Sequence, residues 1–229
     1  MRIIAALTLV LALATALPYG TARADKLDAE QLVNDAEFTV KRMWDHPEFK
    51  DYIRTYLRRA KGVVVVPTLL KGGFIIGGEG GSGVLMARAQ NNEWSYPSFV
   101  SVGSASIGLQ IGGQTSELLL IIMTGRGLQA ILDDQVQIGG ELSGAIGPYG
   151  SSAEASTTTN LDADIIAYSI SKGAFVGVNI EGTALVPRGS YIRSYYGQTV
   201  SPHAVVLEGK AGNPHADSLR ATLKSLVSQ

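Results

Sequence analysis

The chain has 229 residues, 45% hydrophobic and 17% charged, with no cysteine and a formal net charge of −1. That apolar fraction excludes a disordered chain, and the length suits one good core or two small ones. The lack of cysteine excludes disulfide scaffolds, zinc ribbons, thiol catalysis and a lipidated cysteine at a cleavage site, and the near-neutral charge gives no global reason to bind nucleic acid.

Arg2 is the only charge before a run from Ile3 to Leu17 that is apolar apart from Thr8 and Thr15. Pro18, Tyr19 and Gly20 break the run, and Ala22-Arg23-Ala24 supplies the small-x-small pattern of a signal peptidase site. The run falls short of the about 20 residues a bilayer span needs. Residues 1–24 therefore read as a cleavable secretory signal, and the mature protein, residues 25–229, is expected to be a single domain exported to a periplasm.

Two amphipathic helices are expected next. Ala29, Leu32, Val33, Ala36, Val40, Met43 and Trp44 recur at three- and four-residue spacing, and after a helix start at His46-Pro47 the stripe continues through Phe49, Ile53, Leu57 and Ala60. From Gly62 the period changes to two. Val63–Val66 is a β-branched run, Phe74–Ile76 and Val84–Met86 flank the cluster from Gly77 to Gly83, and Ile107, Leu109 and Ile111 alternate. Asn91-Asn92 is expected to turn a hairpin between Val84–Ala89 and Trp94–Val100. Leu118–Met123, apolar on both faces, reads as a central strand, followed by a short helix in Gly127–Leu132 capped by Thr124. A second alternation runs from Val136 through Ile138, Gly140, Leu142 and Gly144 to Ile146. Ser151–Asn160 reads as a loop or edge strand, and Ile165–Ile170 and Phe175–Val186 as a last strand pair around Lys172-Gly173. An aromatic segment with Tyr191, Tyr195 and Tyr196 leads to a final helix burying Ala216, Leu219, Leu223 and Leu226. Of the 27 glycines, 24 fall between Gly62 and Gly197, where bends and close backbone approach would use them. The fold class is α+β: a strongly bent, glycine-rich antiparallel sheet or barrel with amphipathic helices at the N-terminus and one helix at the C-terminus.

Signals for chemistry are weak. Gly78-x-Gly80-x-x-Gly83 has the spacing of a dinucleotide fingerprint but is followed by the strand-like Val84-Leu85-Met86-Ala87, so a tight glycine bend between paired strands is expected instead. No serine satisfies the G-x-S-x-G elbow. His46, His203 and His215 lack metal-site spacing, and no metal or cofactor is expected. Glu79, Glu117, Glu141 and Glu181 lie in low-charge, strand-like surroundings, and two of them converging would make a hydrolase reading possible.

Charge is distributed unevenly. Residues 25–40 carry one basic and five acidic side chains, residues 41–71 eight and three, and residues 72–229 eight and twelve. Within the basic segment Lys50, Arg54 and Arg58 repeat every four residues, with Arg59 and Lys61 beside them, adjoining the stripe of Phe49, Ile53 and Leu57. Such a helix can lie on an anionic lipid surface; it can equally dock on a sheet with a solvated basic face.

Ala60-Lys61-Gly62-Val63-Val64-Val65-Val66-Pro67, Lys71-Gly72-Gly73-Phe74, Gly80-Gly81-Ser82-Gly83-Val84 and Trp94-Ser95-x-Pro97, in this order, resemble the SYLF domain. The resemblance continues through Leu118–Met123, Gly147-Pro148-Tyr149-Gly150, Tyr168-Ser169-x-Ser171-Lys172-Gly173-x-Phe175, Glu181-Gly182 and Tyr195-Tyr196-Gly197, covering about residues 30–225. It implies a non-enzymatic lipid-binding domain, since eukaryotic relatives bind phosphoinositides, partly through a basic amphipathic segment, and fungal relatives also bind actin filaments. The family's basic features correspond here to Lys61 and Lys71, and to Lys50, Arg54, Arg58 and Arg59. An exported protein meets neither phosphoinositides nor actin, so the expected partner is an anionic phospholipid membrane surface, with a structural or partner-binding envelope protein as the alternative.

Overall fold

The computed structural model describes residues 18–48, 50–89, 91, 93–148, 162–171, 174–175 and 180–228, with residues 18–22, 24, 73–77, 105–112 and 174–175 described by their backbone alone. Helix α1 (Pro18–Asp45) buries Ala29, Val33, Ala36, Val40, Met43 and Trp44, the stripe expected from spacing apart from the half-buried Leu32. It begins upstream of Asp25, so Ala22-Arg23-Ala24 lies within it, and its first core side chain among the described residues is Ala29. Helix α2 (Lys50–Leu57) starts later than the His46-Pro47 pair suggested, because Pro47 and Glu48 form the turn between the helices. Phe49 lies outside the described residues.

From Gly62 onward the strands among the described residues form one seven-stranded sheet. Strands β1 (Gly62–Ala87) and β2 (Ser98–Ile122) make a single long antiparallel hairpin, in register from Gly62↔Ile122 to Leu85↔Ser98 with two shifts between. The hairpin closes where the Asn91-Asn92 turn is expected, Asn92 itself lying outside the described residues. Ala89 N–H donates to the Glu93 carbonyl at 2.8 Å, and the Asn91 side-chain oxygen accepts from the Glu93 amide at 3.1 Å.

The expected tight bend at Gly77–Gly83 is absent, because β1 runs through that cluster without a break and remains paired to β2. What the glycines allow is a fold-back of the whole ribbon. Lys71 Nζ and Glu79 Oε1 are 2.8 Å apart, whereas an extended strand would separate those positions by about 26 Å. The two halves of β1 therefore lie against each other. A Cβ on Gly81 would stand 2.5 Å from the Thr68 carbonyl oxygen and 3.4 Å from Leu69 Cα. Contacts this close to a rigid backbone exclude any side chain at that position.

The remaining strands dress the outer edge of the hairpin. The second half of β2 pairs with β5 (Ile165–Ser171), and its first half pairs with β7 (Ala184–Pro187). Leu118–Ile122, held between β1 and β5, is at most 1% exposed, as its unbroken apolar run implied. The expected strand Phe175–Val186 is divided, since β6 (Ala174–Phe175) pairs with β5 while β7 pairs with β2. The alternation from Val136 to Ile146 is divided as well. β3 (Val136–Gln137) joins β7, a turn with Gly139 at φ 88° intervenes, and β4 (Gly144–Ile146) joins β5 in parallel, the one parallel strand pair among the described residues. Ser151–Asn160 lies outside the described residues.

Four further helices lie among the described residues: α3 (Gly125–Asp133), α4 (Gly189–Tyr196), α5 (Pro202–Val206) and α6 (Asp217–Ser228). Thr124 caps α3 as expected, its hydroxyl accepting from Gly127 N–H at 3.0 Å. α6 buries Leu219, Leu223 and Leu226 against the same core, with Ala216 in the preceding 3₁₀ turn.

Asp164 joins three of these elements. Only 1% exposed, it accepts from the Thr124 hydroxyl at 2.6 Å, from the Ser143 amide at 3.0 Å and hydroxyl at 2.8 Å, and from the Arg126 guanidinium. Burial acts to raise its pKa, but these hydrogen bonds outweigh it and lower the carboxyl from 3.8 to about 2. A depressed folded-state pKa contributes stability that is complete above the unfolded value of about 3.9 and is lost as pH falls through the folded one.

Two outcomes are expected. In urea titrations Gly81→Ala should lose about 2 kcal/mol, whereas Gly72→Ala, with open space around its Cβ, should lose less than about 1 kcal/mol. Asp164→Asn should lose about 2–3 kcal/mol at neutral pH, and its thermal midpoint should fall less than that of the wild type between pH 4 and pH 2.

Candidate lipid-contact surface

The basic segment acquires its geometry from the way α2 docks. Ile53, Tyr56 and Leu57 on the helix, and Ala60 just beyond it, are buried in the core. Among the described residues the apolar stripe is therefore already covered. Of the two arrangements the charge pattern allows, the helix adopts the docked one, with its basic residues along the outside. A salt-dependent surface contact remains available to them; insertion of Ile53 and Leu57 into lipid does not.

The six basic residues divide into three groups. Arg54 belongs partly to the fold: its guanidinium carbon lies 4.7 Å from the centre of the Trp44 ring, and its Nη1 is 3.8 Å from Asp51. The planar cation stacks on the aromatic face while its stem covers apolar surface. Lys71 stands apart, at the neck of the ribbon fold-back and paired with Glu79. The strand between Lys61 and Lys71 would be about 33 Å long if extended, so sequence proximity does not make them neighbours. Lys50 at the start of α2, and Arg58, Arg59 and Lys61 at its end, form the third group. Arg58, Arg59 and Lys61 are exposed, Lys50 is half-buried, and none pairs with a carboxylate among the described residues.

A residue that the charge pattern did not single out sits behind this last group. Arg88, at the far end of β1, places Nη1 at 3.1 Å from the Leu57 carbonyl oxygen and 2.5 Å from that of Arg58. Its amide donates to the Lys61 carbonyl at 2.9 Å, and the Lys61 amide donates to Ile122 at 2.8 Å. Only the fold-back of β1 brings residues 58–61 and 88 together. No local pattern in the sequence carries that information.

Two of the four candidate carboxylates are engaged by cations. Glu117 is bound by the Arg42 guanidinium of α1, and Glu79 by Lys71. Glu141 and Glu181 are both exposed, and the Glu141 carboxylate accepts from the Gln137 amide at 2.7 Å, which lowers its pKa. Glu79 alone of the four lines a described cavity, a space with Leu69, Val102, Leu118 and Ile180 that holds no more than about one water-sized sphere. That space is too small for an acyl chain. The fingerprint-like Gly78–Gly83 opens no helix, so it offers no dipole for a pyrophosphate. Each histidine has a local partner: His46 Nδ1 accepts from the Glu48 amide at 3.4 Å, His203 meets Glu208 at 2.9 Å, and His215 reaches the Glu30 carbonyl at 3.0 Å. No group of metal-ligating side chains and no helix long and apolar enough to cross a membrane is found among the described residues.

Comparison with known proteins agrees with the motifs. A family model described as Ysc84, Las17-binding protein actin regulator, matches residues 103–226. LAS seventeen-binding protein 3 of Saccharomyces cerevisiae is 35% identical over 173 residues, covering 74% of this chain and 37% of that protein. Protein YSC84 of the same yeast is 34% identical over 172 residues, covering 74% and 36%. SH3 domain-containing YSC84-like protein 1 of Homo sapiens is 29% identical over 172 residues, covering 75% and 50%. The chain thus spans half or less of the length of these relatives. By the matched family model, the identity to the yeast proteins and the shared motifs, the chain belongs to the Ysc84 family, the family of the SYLF domain.

Proposed function

We propose that this protein is a non-enzymatic binding domain that associates with anionic phospholipid surfaces through the basic residues around α2. The observation that carries the reading is the set of exposed cations Arg58, Arg59 and Lys61, which lack a carboxylate partner among the described residues and sit in the turn directly after a helix already anchored by its apolar face. Charges held on a rigid support and left uncompensated favour an external anion, and each contributes about 1 kcal/mol near an anionic bilayer. Lys50 extends the surface along α2. Arg54 and Lys71, engaged with Trp44 and Glu79, contribute less. Given the signal-like N-terminus, the surface in question is bacterial phospholipid facing a periplasm.

The family description favours a second reading, a protein-binding domain, because relatives are named for binding Las17 and for regulating actin. For an exported chain this becomes a partner in the cell envelope. Vesicle binding separates the two.

The full chain should sediment with phosphatidylglycerol/phosphatidylcholine vesicles in proportion to the anionic fraction, and added salt should weaken it. Replacing Arg58, Arg59 and Lys61 together by Gln should cut affinity roughly a hundredfold. Binding unchanged in that variant, with its circular dichroism intact, would sink the lipid reading. In thermal melts Arg54→Ala should cost about 1 kcal/mol through loss of stacking on Trp44, whereas Lys50→Ala should stay within about 0.5 kcal/mol of wild type.

A further inference from the structure

The last carbonyls of a helix have no partner within it, and nearby lysines and arginines commonly turn back to satisfy them. At the end of α2, Arg58, Arg59 and Lys61 are the local candidates. Among side chains it is instead Arg88 that reaches the Leu57 and Arg58 carbonyls, from the far end of β1, sharing the Leu57 oxygen with the Ala60 amide at 3.3 Å. Its positive charge also stands at the negative end of the helix dipole. Arg88 is itself fixed: its amide bonds Lys61, and its backbone bridges Trp94 across the hairpin.

We propose that Arg88 is the positioning residue of the cationic turn: by capping α2 from outside, it releases Arg58, Arg59 and Lys61 to bind external phosphate oxyanions as one set. This rests on the lipid reading for its ligand. The geometry of the turn itself does not. Three like charges within four positions, with no carboxylate among the described residues to hold them, depend on their backbone for mutual placement. That backbone is tied on one side by Arg58 N–H to Arg54 O at 3.2 Å and Arg59 N–H to Tyr56 O at 3.0 Å, and on the other by the Arg88 and Lys61 amides. The guanidinium of Arg88 spans the two.

The test uses the full chain carrying Arg88→Gln or Arg88→Lys, with amide hydrogen exchange at Arg58–Ala60 and binding to phosphatidylglycerol vesicles across a salt series. Arg88→Gln should speed exchange at Arg58–Ala60 at least tenfold and weaken vesicle binding about tenfold. The slope of affinity against salt should remain that of the wild type, because the three contacting cations are intact. Arg88→Lys, which keeps a charged donor, should recover most of the affinity. Unchanged exchange in Arg88→Gln overturns the proposal. So does a lowered thermal midpoint with undiminished affinity, and so does a slope that falls with affinity, which would make Arg88 itself a phosphate contact. If the wild type binds no vesicles, the lipid reading fails separately. Inorganic phosphate then decides the turn: shifts of the Arg58–Lys61 amides in the wild type but not in Arg88→Gln support it, and equal shifts or none overturn it.

Discussion

The architecture depends on one close contact, that of the two halves of β1 where Gly81 meets the backbone at Thr68 and Leu69. A ribbon of this length cannot stay flat and still bury its apolar residues; it must curl, and its inner surfaces must meet. Removing the side chain at a crossing point lets the backbones approach to a distance no Cβ would allow. The rest follows from that approach. Val63–Val66 and Val84–Met86 share one core with Leu118–Ile122, the remaining strands find two separate stretches of β2 to pair with, and α1 packs across the result. The same approach brings Arg88 to the end of α2 and Lys71 to Glu79.

How much of this the chain revealed in advance depended on the range of the interaction involved. Local signals were legible. Spacing placed the buried stripe of α1, Thr124 marked the cap of α3, Asn91 marked the hairpin turn, and the unbroken apolar run at Leu118–Ile122 marked the strand with neighbours on both edges. Glycine was harder to read, because the same residue serves a turn, a bulge and a close crossing. At Gly77–Gly83 the sequence context suggested a turn where the structure has a crossing, and at Gly139 a turn interrupts what alternation alone presented as one strand.

The candidate surface was legible as composition but not as geometry. Counting charges located the basic segment, and periodicity placed Lys50, Arg54 and Arg58 along a helix. Neither could show that Trp44 engages Arg54, that Glu79 engages Lys71, or that the apolar stripe of α2 faces the core. The first two contacts engage Arg54 and Lys71, and they leave Lys50, Arg58, Arg59 and Lys61 without a carboxylate partner among the described residues. Asp164 escaped notice for a related reason: an aspartate just ahead of an apolar strand, with Asp162 beside it, carries no pattern, and only the meeting of α3, β4 and β5 makes it a buried hub.

The β1–β2 hairpin also implies an order of assembly. Leu85 and Ser98 pair across a short loop, whereas Gly62 and Ile122 pair across nearly the whole ribbon. Loop-closure entropy rises with the length enclosed, so the ladder forms most readily from the Asn91 end outward, and its last rungs are the ones beside Lys61. Arg88 lies next to the first rungs and Lys61 next to the last, yet the fold-back joins them. The amide of Arg88 reaches Lys61 only once β1 has curled back on itself, so the cationic turn takes its shape with the fold-back and not from its local sequence alone.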